Sequence, residues 1–117
     1  KVKLSVEGQS VEATGSGDKY EIFIGATIAS ASTIKVSRAA DTMLGIAYIM
    51  SDDSANAVAF VAGATADTID LLGTANSTGG LAGSWYRLTD IAANLWAVEI
   101  IAGGGGTEAT PFSATVA

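Results

Sequence analysis

Residues 83–101, GSWYRLTDIAANLWAVEII, contain both tryptophans of the chain and decide its fold, because their side chains alternate with a period of two. In the first run the two sides carry different residues: Tyr86 and Leu88 on one, and Trp85, Arg87 and Thr89 on the other. In the second run the two sides are Trp96, Val98 and Ile100 against Leu95, Ala97 and Glu99. Two alternating runs with a short polar segment between them predict a β-hairpin.

The segment between the two runs, residues 90–94, carries residues that favour a turn. The Asp90 carboxylate can accept a hydrogen bond from the backbone that follows it, and Asn94 tolerates the left-handed conformation. A helix is the alternative, because four apolar residues also fall at helical spacing: Ile91, Leu95, Val98 and Ala102. The β-branched and aromatic content of the second run favours the hairpin.

Further short alternating runs occur within residues 1–7, 19–24, 33–38, 46–50, 57–61 and 67–72. Turn signals separate them about every 8 to 12 residues, which predicts an all-β fold: an antiparallel sandwich or small barrel of about eight to ten short strands. The predicted core is Leu4, Val6, Ile22, Ile34, Val36, Ile46, Tyr48, Phe60, Ile69, Leu71, Tyr86, Leu88, Trp96, Val98 and Ile100. Residues 39–50 also show helical spacing, but Gly45 would weaken a helix interior, so we expect a loop and a strand there.

The overall composition indicates a single domain, residues 1–117, that associates with other chains. The sequence is 49% hydrophobic and only 15% charged, and its mean hydropathy is +0.40. A small domain with so few charges is expected to cover part of its surface in an assembly. Because no apolar window is long enough to cross a bilayer, we expect no membrane partner.

The charge distribution argues against nucleic acid as a partner. The net charge is −6, the pI is near 4.2, and five of the six basic residues lie before residue 39, with Arg87 the remaining one. A phosphate backbone requires several cations in register, which this sequence does not offer. The early basic and late acidic portions can complement each other between subunits or contact a charged protein lattice, and an ordinary solvated surface is the alternative.

Residues that could perform catalysis or bind metal are few. The chain has no cysteine and no histidine, so it lacks thiolate ligands, the commonest general base and the commonest transition-metal ligand. Two acidic groups could offer oxygens to calcium: Asp52 and Asp53 with Asn56, and Asp67 with Asp70. Neither group has the order of a calcium-binding loop, and these residue types commonly form local turns. We therefore expect no metal and no cofactor.

The end of the chain follows four consecutive glycines, Gly103 to Gly106, which predict a hinge or a flexible loop. The last run, residues 107–117, can form an edge strand of its own domain. Alternatively, residues 1–7 and 107–117 are terminal arms that add a strand to a neighbouring subunit, with Phe112 as the apolar anchor of the second arm. Deleting residues 107–117 should leave an arm-bearing domain folded but weaken its assembly.

The aromatic residues of the hairpin suggest a binding surface. Trp85, Tyr86 and Trp96 could form a platform for sugar rings, but at least one tryptophan of a two-faced hairpin is expected in the core. We expect Trp96 inside. Trp85 and Arg87, on the opposite side, and Phe112 are the candidate interface residues.

From residue 33 onward the order of motifs is more specific than in a generic β domain. TIKVSRA precedes GIAYIMSDDSANAVAFVAG and ADTIDLLG, and GSWYRLTDIAANLWAVEI and ATPFS follow. This order resembles small β domains of tailed-bacteriophage virion proteins, in which a TIxV strand, a glycine-led strand with a polar hairpin, a DTI strand and a closing strand with one tryptophan succeed each other. The resemblance covers about the last two thirds of the chain, and residues 1–29 carry no part of it.

The resemblance implies a non-enzymatic structural protein located in the virion, arranged as a homotrimer. Such domains occur in capsid decoration (cement) proteins, which bind and stabilise the capsid exterior, and its partner would then be the lattice of the major capsid protein. They also occur in tail fibres. The alternative is therefore a tail-fibre or adhesin domain that binds a host-surface receptor or glycan.

Overall fold

The alternating runs of the sequence form eight β-strands in the computed structural model of the protein, which describes residues 13–36, 40–51, 56–72 and 75–116. The strands are β1 Lys19–Phe23, β2 Ser32–Lys35, β3 Thr42–Ser51, β4 Ala57–Val61, β5 Thr68–Leu71, β6 Trp85–Ala92, β7 Leu95–Gly104 and β8 Phe112–Ser113. The predicted all-β fold is confirmed. The predicted strand within residues 1–7 lies outside the described residues.

The strands form two sheets around one hydrophobic core. A five-stranded sheet has the order β1-β6-β7-β3-β4, and a three-stranded sheet has the order β2-β5-β8. All pairs are antiparallel except β3 with β7, which run parallel over ten residue pairs at the centre of the larger sheet. The predicted antiparallel pairing thus holds for the described strand pairs other than this one. The described part of the chain contains no helix long and apolar enough to cross a membrane.

The predicted hairpin is formed by β6 and β7, and the helical alternative for this stretch is wrong. Its inward face is buried as predicted: Tyr86, Leu88, Trp96, Val98 and Ile100. Asn94 has the left-handed backbone conformation that the turn requires, with φ of 62°. Asp90, however, lies within β6 opposite Trp96, and its carboxylate binds a distant segment and not the backbone that follows it.

Strand β3 has its faces reversed relative to the prediction. Ile46 and Tyr48 are exposed, at 40% and 45%, whereas Ala47 and Ile49 are fully buried. Both faces of this strand are apolar, so the hydrophobic pattern alone does not fix which face is inside. Gly45 is required in this strand, because any side chain at this position would overlap the Val98 carbonyl oxygen of β7.

The other predicted core positions are largely confirmed. Four of them, Ile34, Val36, Ile69 and Leu71, are buried. Ile22 and Phe60 are partly buried and pack against this core. Leu4 and Val6 lie outside the described residues.

The glycine run does not form the predicted hinge. Gly103 and Gly104 are the last residues of β7, where Gly104 pairs with Ser51 of β3. A side chain at Gly104 would place its first carbon 2.6 Å from Ile49 Cγ2, and the Gly105 N–H donates to the Asn76 carbonyl oxygen at 3.0 Å. Gly103 and Gly104 thus occupy closely packed positions within a strand and do not act as a hinge.

Candidate functional site: the outer face of the five-stranded sheet

The register of the larger sheet aligns apolar side chains in one row across all five strands. Phe23 pairs with Trp85, Trp85 with Ile101, Ile101 with Tyr48, and Tyr48 with Ala59. We call these five residues the aromatic row. Its four large members point away from the core and are between 37% and 52% exposed.

Contacts within the aromatic row hold Trp85 in place. The ring centroids of Phe23 and Trp85 are 4.8 Å apart, with the rings tilted by 51°. The guanidinium carbon of Arg87 lies 5.3 Å from the centroid of the Trp85 ring, within cation–π distance. Trp85 is therefore an ordered surface residue with aromatic and cationic neighbours, which is typical of a contact residue in an interface.

A charged row lies beside the aromatic row on three strands. Glu21 of β1 pairs with Arg87 of β6, which pairs with Glu99 of β7. The Arg87 Nη1 atom is 2.9 Å from Glu99 Oε1, and Nε is 3.9 Å from Glu21 Oε1. Because these groups are largely exposed, each ion pair contributes at most about 1 kcal/mol to stability. The ion pairs instead hold the Arg87 guanidinium and the two carboxylates next to Trp85.

A shallow groove of about 260 Å³ runs beside these ion pairs. Its polar lining is Lys19, Glu21, Arg87, Thr89 and Glu99. The groove thus offers an ammonium, a guanidinium, two carboxylates and a hydroxyl close to an exposed tryptophan.

The other half of the outer face, on β3 and β4, carries no charge among its described residues. Its exposed large side chains are Leu44, Ile46, Tyr48, Met50 and Val61. We call this region the uncharged half. Monomeric proteins rarely expose an extended apolar surface, so this half of the sheet is a candidate contact surface.

The buried carboxylates have structural partners. The Asp90 carboxylate accepts hydrogen bonds from the N–H groups of Thr14, at 2.9 and 3.0 Å, and of Gly15, at 2.6 Å, and from the Ser16 hydroxyl at 2.9 Å. Burial alone would raise the pKa of Asp90, but these hydrogen bonds outweigh it and lower the pKa to about 2. Asp90 therefore fastens residues 14–16 to β6.

Two further aspartates act in the same way. Asp41 Oδ2 accepts hydrogen bonds from the Ala13 N–H at 2.9 Å and the Trp96 indole N–H at 3.4 Å. Asp67 Oδ1 accepts hydrogen bonds from the Thr115 and Val116 N–H groups. Asp67 thus binds the tail of the chain, and in the described segments no three Asp, Glu, His or Cys side chains come together as a metal site would require. Asp52 and Asp53 lie outside the described residues.

The structure brings two of the three predicted interface residues together. Trp85 and Arg87 are neighbours on the outer face. Phe112 lies elsewhere: it belongs to β8, pairs with Ile69 of β5 and is only 9% exposed, within the core. In this structure the tail therefore pairs within its own domain, as predicted by the edge-strand interpretation and not by the arm interpretation.

Trp96 lies in the core as predicted, and Tyr86 is fully buried too, so Trp85, Tyr86 and Trp96 do not form a platform for sugar rings. Sequence reasoning missed Phe23, Tyr48 and Ile101, which complete the aromatic row. The alternation of β1 and β7 places Phe23 and Ile101 outside, so their exposure could have been predicted. Tyr48 could not have been, since the phase of β3 depends on its neighbours.

Comparison of the chain with protein-family models, with curated proteins and with solved structures finds no match. The candidate site is therefore interpreted from its own geometry.

Proposed function

We propose that the protein is a non-enzymatic structural protein that assembles through the outer face of its five-stranded sheet, at the surface of a virion. The observation that supports assembly through this face is the aromatic row, which crosses five strands and ends in the uncharged half. Burying aromatic and aliphatic side chains of this kind is the main source of affinity in protein interfaces. Partners of this face are other copies of the chain and a larger protein lattice.

The virion setting rests on the resemblance of residues 33–113 to bacteriophage β domains. In that setting the protein is a capsid decoration protein, a homotrimer that binds the major capsid protein lattice from outside. The low charge content supports this role, because a surface with few charges is poorly suited to a free monomer but suits a lattice contact.

Two matched substitutions test the contact face. Ile101→Lys places a charge in the aromatic row, whereas Ile91→Lys makes the same change at an exposed isoleucine at the far end of β6; the two isoleucines are 44% and 47% exposed. We expect Ile101→Lys to lower the sedimenting mass and to abolish binding to empty capsids, with Ile91→Lys unchanged in both. Wild-type mass and capsid binding for Ile101→Lys would contradict the proposal.

The capsid role is tested directly with empty capsids and host cells. A decoration protein should co-sediment with empty capsids and raise their disruption temperature. Binding to host cells without binding to capsids would instead favour the alternative, a tail-fibre or adhesin domain.

The groove beside Trp85 is the specific observation that favours that alternative. Carboxylates, a guanidinium and a hydroxyl beside an aromatic ring are the groups with which proteins recognise sugar hydroxyls and sugar faces. A glycan bound there should change tryptophan fluorescence during titration with host-surface polysaccharide. Trp85→Phe should remove that signal, because the remaining tryptophan, Trp96, is fully buried.

A further inference from the structure

Strand β4 has a free edge in the part of the chain that the structure describes, since its one partner there is β3. Two flanking hydrogen bonds fix which of its backbone groups bind β3: Ala62 N–H to Gly45 O, and Ser51 N–H to Asn56 O. Because backbone groups of an antiparallel pair alternate in direction, Val58 and Phe60 face β3. The N–H and C=O groups of Ala57, Ala59 and Val61 therefore point away from the sheet.

This edge has none of the features that usually prevent pairing with another strand. Its sequence, AVAFV, contains no charge and no proline, and its pairing with β3 shows no bulge. The opposite edge of the sheet, β1, carries Lys19 and Glu21. Of the two edges that the five-stranded sheet has among the described residues, β4 is thus the one open to main-chain pairing without charges on the strand.

We propose that β4 pairs antiparallel with β4 of a second copy of this chain, around a two-fold axis at Ala59. Centring the axis there pairs the whole strand: Ala59 faces Ala59 of the partner subunit, and Ala57 faces Val61 of the partner subunit. Every outward backbone group then gains a partner, and the small side chains of Ala57 and Ala59 allow close approach.

A second copy fits this edge, because an antiparallel pair about Ala59 satisfies the outward backbone groups of both strands and the edge carries no charge that would repel a like copy. Each chain carries a net charge of −6, so like copies repel each other over most of their surface. Strand β4 and the described residues of β3 carry no charge, and pairing here joins two uncharged halves on one side of a continuous sheet. The contact buries Val61 further, which at 68% is more exposed than the other large apolar side chains described.

This contact goes beyond the proposed function and does not depend on a virion. It is two-fold and uses a strand edge, whereas the trimer implied by the resemblance is threefold and the aromatic row is a sheet face. The two contacts can therefore be tested separately.

Single cysteine variants test the contact and its register, because the chain has no cysteine of its own. In the proposed pair the Cα atoms of the two residues at position 59 are about 5.5 Å apart, within disulfide range. The two residues at position 57 are four positions out of register, about 14 Å apart, and cannot be bridged. Under mild oxidation at micromolar concentration, Ala59→Cys should form a covalent dimer on the order of ten-fold faster than Ala57→Cys.

Mixing adds a second test of the register. Ala57→Cys mixed with Val61→Cys should form the heterodimer, while neither forms a homodimer efficiently. Ala59→Pro removes an outward N–H that β3 does not use, so it should lower the dimer fraction in sedimentation while circular dichroism stays unchanged.

The outcomes that would overturn the proposal are equally specific. Equal cross-linking of Ala57→Cys and Ala59→Cys would exclude the register, and no cross-linking by either, alone or mixed with Val61→Cys, would exclude the contact. If Ala59→Cys cross-links while Ile101→Lys leaves mass and capsid binding unchanged, the edge contact stands and the proposed function fails. If Ile101→Lys loses mass and capsid binding while Ala59→Cys does not cross-link, the proposed function stands and the edge contact is rejected.

Discussion

The two tryptophans of the β6–β7 hairpin lie eleven positions apart in sequence but occupy opposite environments. Trp96 is fully buried, its ring meets Tyr20 edge-on at 5.8 Å, and its indole N–H donates to Asp41. Trp85 is 37% exposed on the outer face. The same residue type therefore has a core role at one position and a surface role at the other.

Truncating each tryptophan should separate these roles. Trp96→Ala removes a buried ring and should lower the free energy of unfolding by about 3–5 kcal/mol. Trp85→Ala loses mainly its contact with Phe23 and should lower it by less than about 1.5 kcal/mol. Urea denaturation followed by circular dichroism measures both, and a loss below about 1 kcal/mol for Trp96→Ala would mean that the hairpin faces are assigned incorrectly.

Asp90 makes stability depend on pH in the acid range. Folding lowers the pKa of its carboxyl from 3.8 to about 2, so the ionised carboxylate stabilises the folded state more than the protonated acid does. Its contribution is fully present above about pH 4 and is lost as the pH falls through 2. Asp90→Asn should reduce the urea midpoint at pH 7, and the difference from wild type should shrink towards pH 2.

The matched control is Asp18→Asn, which removes the same charge from an exposed position in the neighbouring segment. It should leave the urea midpoint at pH 7 close to wild type. Equal effects of the two variants would show that net charge, and not the hydrogen bonds of Asp90, sets the acid sensitivity.

At the level of elements, the parallel pairing of β3 with β7 depends on Gly45. Its φ of 156° and its contact with the Val98 backbone leave no space for a side chain. Gly45→Ala should therefore force the two central strands apart and cost more than about 3 kcal/mol, or prevent folding. Gly63→Ala is the control, since a side chain there would meet no atom within 4 Å. Similar melting temperatures for the two variants would contradict the role assigned to Gly45.

The β6–β7 hairpin could be predicted from sequence because each of its strands has one apolar and one mixed face. The buried face of β3 could not be predicted, because both of its faces are apolar. Ile46 and Tyr48 lie outside, although a hydrophobic pattern would favour burying them over Ala47. Which face is inside depends on the strands that pair with β3, and its parallel partner β7 begins only at Leu95. Likewise, the roles of Asp90 and of the glycine run depend on contacts with residues 14–16 and with Ile49, which no local pattern contains.

Strand β8 makes the tail part of the domain. Phe112 is in the core, and Asp67 accepts hydrogen bonds from Thr115 and Val116. Deleting residues 107–117 should therefore lower the melting temperature markedly and leave the Asp67 carboxylate without these donors. A truncated protein that melts like the full chain but loses its assembly would restore the arm hypothesis.

At the scale of the whole molecule, the five-stranded sheet divides its polar and apolar groups between two regions. Arg87, Glu21 and Glu99 lie on the β1-β6-β7 side, whereas β3 and β4 form the uncharged half. In the proposed assembly, the uncharged half supplies the apolar contact, while the net charge of −6 on each chain makes like copies repel each other. Association must then overcome the repulsion between like copies.

The balance between repulsion and apolar contact predicts how assembly responds to salt. Two copies with charges of −6 whose centres lie about 26 Å apart, the intermediate dimension of the molecule, repel by about 6 kcal/mol in water without salt. Screening reduces this to about 2.4 kcal/mol at 10 mM and about 0.2 kcal/mol at 150 mM ionic strength. The association constant should therefore rise on the order of 40-fold over this range, as measured by sedimentation at a fixed micromolar concentration. An association constant that falls with added salt would instead mean that ion pairs, made by Lys19 and Arg87 of the outer face, hold the copies together.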